Sequence, residues 1–220
     1  MPTYKVAEWL TMLKTLVSRT AIPAKNGYKR LNFPPNNREI SDTALLEWSR
    51  ALELHDNDTE EHSQRVSEMT VQLARAMGIQ EKNLIHVRRG ALLHDIGNMG
   101  IPDYILSKPG KLSENEWDIM RQHPYHAYQM LTKYPVLRAA VDIPYYHHER
   151  WDGSGYPLGL EGAKIPLGAR VTAIIDVWDA LNSDRPYRKA WPQKRAKTYI
   201  QKQAGKHFDP EVVDAFFQLM

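Results

Sequence analysis

Apolar residues recur at helical intervals along almost the whole chain. Over residues 4–18, Val6, Trp9, Leu10, Leu13, Leu16 and Val17 fall on one face and predict an amphipathic helix. Residues 19–40 then run through Pro23, Asn26, Gly27, Pro34, Pro35 and Asn36, a composition that stops helices and reads as a linker. From Ser41 the helical pattern resumes over 41–55, 59–77, 81–96, 114–133, 136–147, 168–182, 193–204 and 209–219. The alternation of a half-buried strand is nearly absent. The expectation is an all-α helical bundle at 41–220, preceded by a helix and linker at 1–40. The first helix is a candidate dimerisation element, with packing on its own bundle as the alternative.

Local signals sharpen several boundaries. Ser113 and Glu116 form the S-x-x-E pattern in which hydroxyl and carboxylate reciprocally satisfy free backbone N–H groups. Gly78 and Gly97 follow periodic runs and are expected to close helices with left-handed backbone angles. Residues 149–168, carrying Gly153, Gly155, Pro157, Gly159, Gly162 and Pro166, form one long loop of the kind that is functional or disordered.

Composition narrows the chemistry. The 220 residues carry 29 basic and 26 acidic side chains, a net charge of +3, too balanced to favour a DNA duplex or a membrane surface as partner. There is no cysteine, so any metal must rest on imidazole and carboxylate, a set that suits iron, manganese or zinc. No signal peptide or run of 18 apolar residues is visible, and the chain reads as cytoplasmic.

Histidine and aspartate recur inside apolar stretches. His94 and Asp95 adjoin within Ala91–Gly97, on what reads as the end of a core helix. Burying such a pair is costly, and a divalent ion is the strongest available partner. A helix-terminal histidine beside a capping Asp95 is the plainer alternative. His62 lies in line with Val66, Met69, Leu73 and Met77, as a ligand or a hydrogen-bonded core residue. Asp58, one turn earlier, can reach the same spot or cap the following helix. His123 precedes Pro124, which is expected to bend a helix there. His126 is solvent-facing or hydrogen-bonded. His147 and His148 are adjacent, and their side chains should diverge by about 100°, suiting two ions better than one. Asp176 sits among Ile174, Ile175, Val177 and Trp178 and needs a metal or a basic partner. Asp179 is expected to pair with an arginine. His62, His94, Asp95, His123, His147, His148 and Asp176 together exceed one four-coordinate site and fit two ions sharing Asp95.

The motifs HDIG at 94–97, HHERWDGSGYP at 147–157 and DVWDALNSDRPYR at 176–188 resemble the HD-GYP subgroup of the HD phosphohydrolase superfamily, from about Ser41 to the end of the chain. The resemblance implies an all-helical domain around two or three metal ions that hydrolyses the bacterial messenger cyclic di-GMP to linear pGpG or GMP. It implies the same seven ligands, with His94 and Asp95 at the catalytic centre. Asp58 stands where members with a third ion carry an acid, usually Glu. Arg185 and Arg188 stand at the phosphate-contacting positions. Gly155, Tyr156 and Pro157 form the loop that gives the subgroup its name, and Tyr156 would meet the substrate, a signalling partner or simply the bundle. Asn98 stands where members commonly carry Lys. It donates a hydrogen bond without a charge, so weaker phosphate binding or slower turnover is expected. Two rival readings follow: a catalytically weak cyclic-dinucleotide receptor, favoured by Asn98 and opposed by the complete ligand set, and a hydrolase of another cyclic dinucleotide.

Overall fold

The computed structural model describes residues 40–56, 61–184 and 189–220, with residues 54–56 described by backbone only. The expected helix at 4–18, the linker, Asp58, Arg185 and Arg188 lie outside them. Among the described residues ten α-helices follow one another: α1 Asp42–Asp56, α2 His62–Ala76, α3 Glu81–Leu92, α4 Asp103–Leu106, α5 Glu114–Met120, α6 His123–Leu131, α7 Asp142–Tyr146, α8 Leu167–Asn182, α9 Gln193–Lys202 and α10 Pro210–Leu219. Short 3-10 turns occupy Ile96–Gly100, Pro135–Ala140 and Gly162–Lys164. Among the described residues there is no strand, only two isolated bridges, so the all-α expectation holds.

The core follows from α8, which is apolar nearly all round and therefore buried along its length. Val171, Ile174, Ile175 and Trp178 of α8 pack with Val66 and Leu73 of α2, Leu84 and Val87 of α3, Ile200 of α9, and Val212, Val213 and Phe216 of α10. The last helix is also tied electrostatically. Asp209, with a fully buried carboxylate, pairs with Arg170 of α8 and accepts from the Glu211 N–H at 2.8 Å, capping α10.

Three expected helices end differently, each for a local reason. The run 81–96 stops at Leu92, where the Leu93 N–H is shared between the carbonyls of Arg89 and Gly90, both at 3.2 Å, and the ladder tightens. His94 and Asp95 therefore stand in a turn, not inside a helix. The run 114–133 splits between α5 and α6. Pro124 has no N–H to give to the Met120 carbonyl, so it starts a new helix instead of bending an old one. The run 136–147 divides into the 3-10 turn at Pro135 and the short α7. At the front of α2 the N-cap is Glu61, in a left-handed conformation and without a side-chain cap of its own. The buried Glu53 of α1 does the capping, accepting from the N–H groups of Glu61 at 3.1 Å and Ser63 at 2.7 Å.

The glycines divide. Gly78 takes φ +82°, with the Ile79 N–H on the Ala74 carbonyl and the Gly78 N–H on that of Arg75, a Schellman closure of α2 as expected. Gly97 does not adopt positive φ. A Cβ there would lie 1.8 Å from the His123 carbonyl oxygen, so glycine is needed for close backbone approach, not for its dihedral freedom. The capping box forms, Ser113 and Glu116 exchanging bonds while Lys108 also binds Glu116.

Gly97→Ala should lower unfolding stability by about 1–3 kcal/mol or more in urea titration; wild-type stability would refute the close-approach argument. Hydrogen bonds from Lys108 and Ser113 hold the Glu116 carboxyl at about 2 against an ordinary 4.5. The folded value is the lower one, so this contribution is complete above pH 4.5 and disappears as pH falls toward 2. An NMR titration of the Glu116 carboxyl should find a depressed midpoint that Ser113→Ala and Lys108→Ala each move upward.

Candidate metal centre

Helix ends converge on one interior point. His62 is the first residue of α2, His94 and Asp95 follow α3, His123 opens α6, and His147 and His148 follow α7, while Asp176 projects from the middle of α8. All seven sequence-derived candidates meet here, in two groups. Asp95, His123, His147 and His148 form one, and His62, His94 and Asp176 the other, the potential ligand atoms of each lying within 4.8 Å of one another.

Asp95 stands between the groups. Its Oδ2 is 3.4 Å from His94 Nε2, and its Oδ1 is 3.6 Å from His123 Nε2 and 3.5 Å from His147 Nε2. Across the other group, Asp176 Oδ1 lies 3.5 Å from His62 Nε2 and 3.9 Å from His94 Nε2. His147 and His148 fall in the same group, their rings 3.9 Å apart, so the expected divergence onto two ions is corrected. His147 is the C-cap of α7, with its N–H still on the Ile143 carbonyl at 3.0 Å, and the two rings reach one group from the helix end.

Ring orientation has a backbone cause. His94 Nδ1 donates to the Ala91 carbonyl at 2.9 Å, His123 Nδ1 to that of Met120 at 2.9 Å, and His147 Nδ1 to that of Pro144 at 3.2 Å. These carbonyls belong to helix ends; that of Ala91 also takes the His94 N–H at 3.4 Å, and that of Met120 is the one Pro124 cannot serve. A carbonyl only accepts, so each Nδ1 carries a proton, and in the neutral ring Nε2 keeps a lone pair directed inward. All three Nε2 atoms are buried without a hydrogen-bond partner. Such orphaned nitrogens facing carboxylates fit a divalent cation.

Electrostatics agree. Burial would raise the Asp95 carboxyl, but His94, His123 and His147 outweigh it and hold the group well below the usual carboxylate range. Burial pushes His123 down to about 4 and also depresses His148, where His147 and His123 add to it, so both rings are neutral at pH 7, as ligation requires. Asp176 has the basic partners its apolar setting demanded: His62 and His94 keep its carboxyl low against the opposing effect of burial. Asp179 pairs with Arg65 as expected and also accepts from His62 Nδ1 at 2.7 Å.

The long loop is well fastened. Glu149, directly after the histidine pair, is buried and accepts from the N–H groups of Leu158 at 2.8 Å and Leu160 at 3.0 Å. A Cβ on Gly155 would lie 2.6 Å from the His148 carbonyl oxygen. Tyr156 stacks on His148 with ring centroids 4.7 Å apart and meets His123 edge-on at 6.3 Å. Burial, reinforced by the charges of Asp95 and Asp176, pushes its hydroxyl up, so it stays protonated. Asn98 is buried in the 3-10 turn, its N–H on the Asp95 carbonyl at 2.9 Å. His126 is half-buried with its ring against Gly100 and belongs to neither group. Sequence reasoning missed Glu149 and Glu53, which read as ordinary surface acids because the amides they serve are set by tertiary approach.

The HD domain family model matches residues 48–212. A cyclic di-GMP phosphodiesterase response regulator of Xanthomonas campestris is 42% identical over 176 residues, 79% of this chain and 47% of its own length. The 3'3'-cGAMP-specific phosphodiesterase 2 of Vibrio cholerae is 36% identical over 193 residues, 87% of this chain and 37% of its own. The crystal structure of a cyclic GMP-AMP-specific phosphodiesterase of Vibrio cholerae shares the fold with a TM-score of 0.62 and 18% identity, over 80% of this chain and 47% of that one. The chain thus spans less than half the length of these relatives. No helix among the described residues is long and apolar enough to cross a membrane.

Glu149→Gln leaves one side-chain oxygen for two N–H groups. It should cost about 1.5–3 kcal/mol of stability and speed amide exchange at Leu158 and Leu160 selectively; unchanged protection there would show that the carboxylate does not hold the loop.

Proposed function

The chain belongs to the HD domain family, in its HD-GYP branch, and on that footing we propose that it is a metal-dependent phosphodiesterase that hydrolyses cyclic di-GMP to pGpG or GMP. The observation carrying this reading is the position of Asp95, with one carboxylate oxygen toward each donor group. His62, His94 and Asp176 would hold one divalent ion, and His123, His147 and His148 the other, with Asp95 common to both. Imidazole and carboxylate donors without thiolate suit iron or manganese, and zinc less specifically. When bound, the ions supply Lewis-acid stabilisation of negative charge and a water of lowered pKa. A third ion would need Asp58.

The chain's own groups do the remaining work. Helix-end carbonyls keep three imidazoles in the ligating tautomer before any ion arrives. The Tyr156 ring covers His148 and shields that side from water, and its protonated hydroxyl can donate to a phosphate oxygen. Arg185 and Arg188 would grip the non-bridging oxygens by charge-assisted hydrogen bonds. Asn98 would offer an uncharged donor where related chains carry Lys. Relatives are named for cyclic di-GMP and for 3'3'-cGAMP, so both dinucleotides belong in the assay.

A second reading, a weakly catalytic receptor for a cyclic dinucleotide, draws on Asn98. The two separate in one experiment. Protein loaded with manganese or iron should convert cyclic di-GMP to linear product, followed by chromatography, with 3'3'-cGAMP in parallel. Chelation should abolish turnover and added metal restore it. Asp95→Ala should lower kcat/KM by at least about 100-fold, equivalent to about 2.7 kcal/mol, and Asn98→Lys should raise turnover. Tight binding without product in metal-replete protein would select the receptor.

A further inference from the structure

His62 differs from the other pinned histidines. It is the first residue of α2, and its Nδ1 is held by a side chain where those of His94, His123 and His147 are held by backbone carbonyls. Its Nδ1 is met by Asp179 Oδ2 at 2.7 Å, while its Nε2 lies 3.5 Å from Asp176 Oδ1. The two carboxylates are one turn apart on α8, so a single helix grips both edges of one ring. Asp179 is itself fixed: Arg65, one turn along α2 from His62, donates its Nε to Oδ1 at 2.8 Å and a terminal nitrogen to Oδ2 at 2.9 Å, and Ser183 Oγ stands 3.4 Å from Oδ2. Asp179 is buried, and nothing in the reaction described above uses it.

We propose that Asp179, held by Arg65, is the positioning residue for His62, and that it controls occupancy of the His62, His94 and Asp176 group separately from the other. The proposal rests on the two-ion reading above. The asymmetry has a physical basis. The Asp95, His123, His147 and His148 group has four donors, with two of its imidazoles pinned to backbone. The other group's own set has three, and one depends on a side chain that substitution can remove. Losing an outer carboxylate frees the ring to rotate and makes it a poorer donor, and such losses lower metal affinity about 10–100-fold.

The test uses the full chain with Mn2+ as probe, counting ions per chain by elemental analysis after equilibration at graded free Mn2+ and recording electron paramagnetic resonance. Wild type should bind two ions and give the signal of a coupled pair. Asp179→Asn, which keeps an acceptor without the charge, should weaken one ion about 10-fold and Asp179→Ala about 100-fold, the second leaving one tightly held ion with an uncoupled six-line spectrum. Asp179→Glu should restore part of the coupled signal. Arg65→Gln, a partly exposed site that spares the carboxylate, should weaken the same ion by a smaller factor and carries the test if Asp179 variants fail to fold. Two ions bound with unchanged affinity in the variants would overturn the proposal and leave the phosphodiesterase reading intact, as would equal weakening of both ions. A wild-type chain that binds no Mn2+ would overturn both.

Discussion

An imidazole has two nitrogens, and the interior of this protein is organised by how the first of them is used. Three rings each give Nδ1 to a helix-end carbonyl, which leaves Nε2 bare at the centre. One bond thus settles two problems: the open end of a helix and the tautomer of a ligand. Five histidines crowded together would repel one another if charged. Burial drives His123 and His148 to the neutral form, and the carboxylates of Asp95 and Asp176 supply the negative charge that cations would balance.

Bringing so many helix ends to one place demands unusually close backbone contacts. Gly97 rests on the carbonyl of His123, and Gly155 on that of His148, so the glycines of the two motifs each press against the main chain of a candidate ligand. Any side chain would force those histidines aside. α8 completes the frame from the opposite direction: its apolar faces fill the core while Asp176 and Asp179 clasp His62, and Arg170 at its other end joins Asp209 of α10.

The sequence showed the helical class and all seven converging side chains, because periodicity marks a buried face and a polar residue on such a face is conspicuous. It did not show where helices stop. His94 and Asp95 looked like part of a helix because Leu92, Leu93 and Ile96 continue the apolar rhythm through a turn. Gly97 reads as a helix-closing glycine because its true constraint, the approach of His123, lies 26 residues away in the chain. Asp179 was half legible: an acid beside apolar residues calls for a cation, but whether that is Arg65 alone or also His62 depends on the rotation of α2 against α8. Glu53 and Glu149 were invisible, since their partners are backbone amides, which every residue type provides.

Glu149 also bears on how firmly the loop beside the centre is held. Twenty-residue loops beside reactive sites often act as flaps that lift and fall. This one ends two of its amides on a buried carboxylate that immediately follows the histidine pair, and its aromatic ring lies flat on one of them. Lifting it would strip a charged group of its hydrogen bonds and unroof His148 at once. Two hydrogen bonds to one side chain and a ring laid on its neighbour thus make the segment part of the wall it borders.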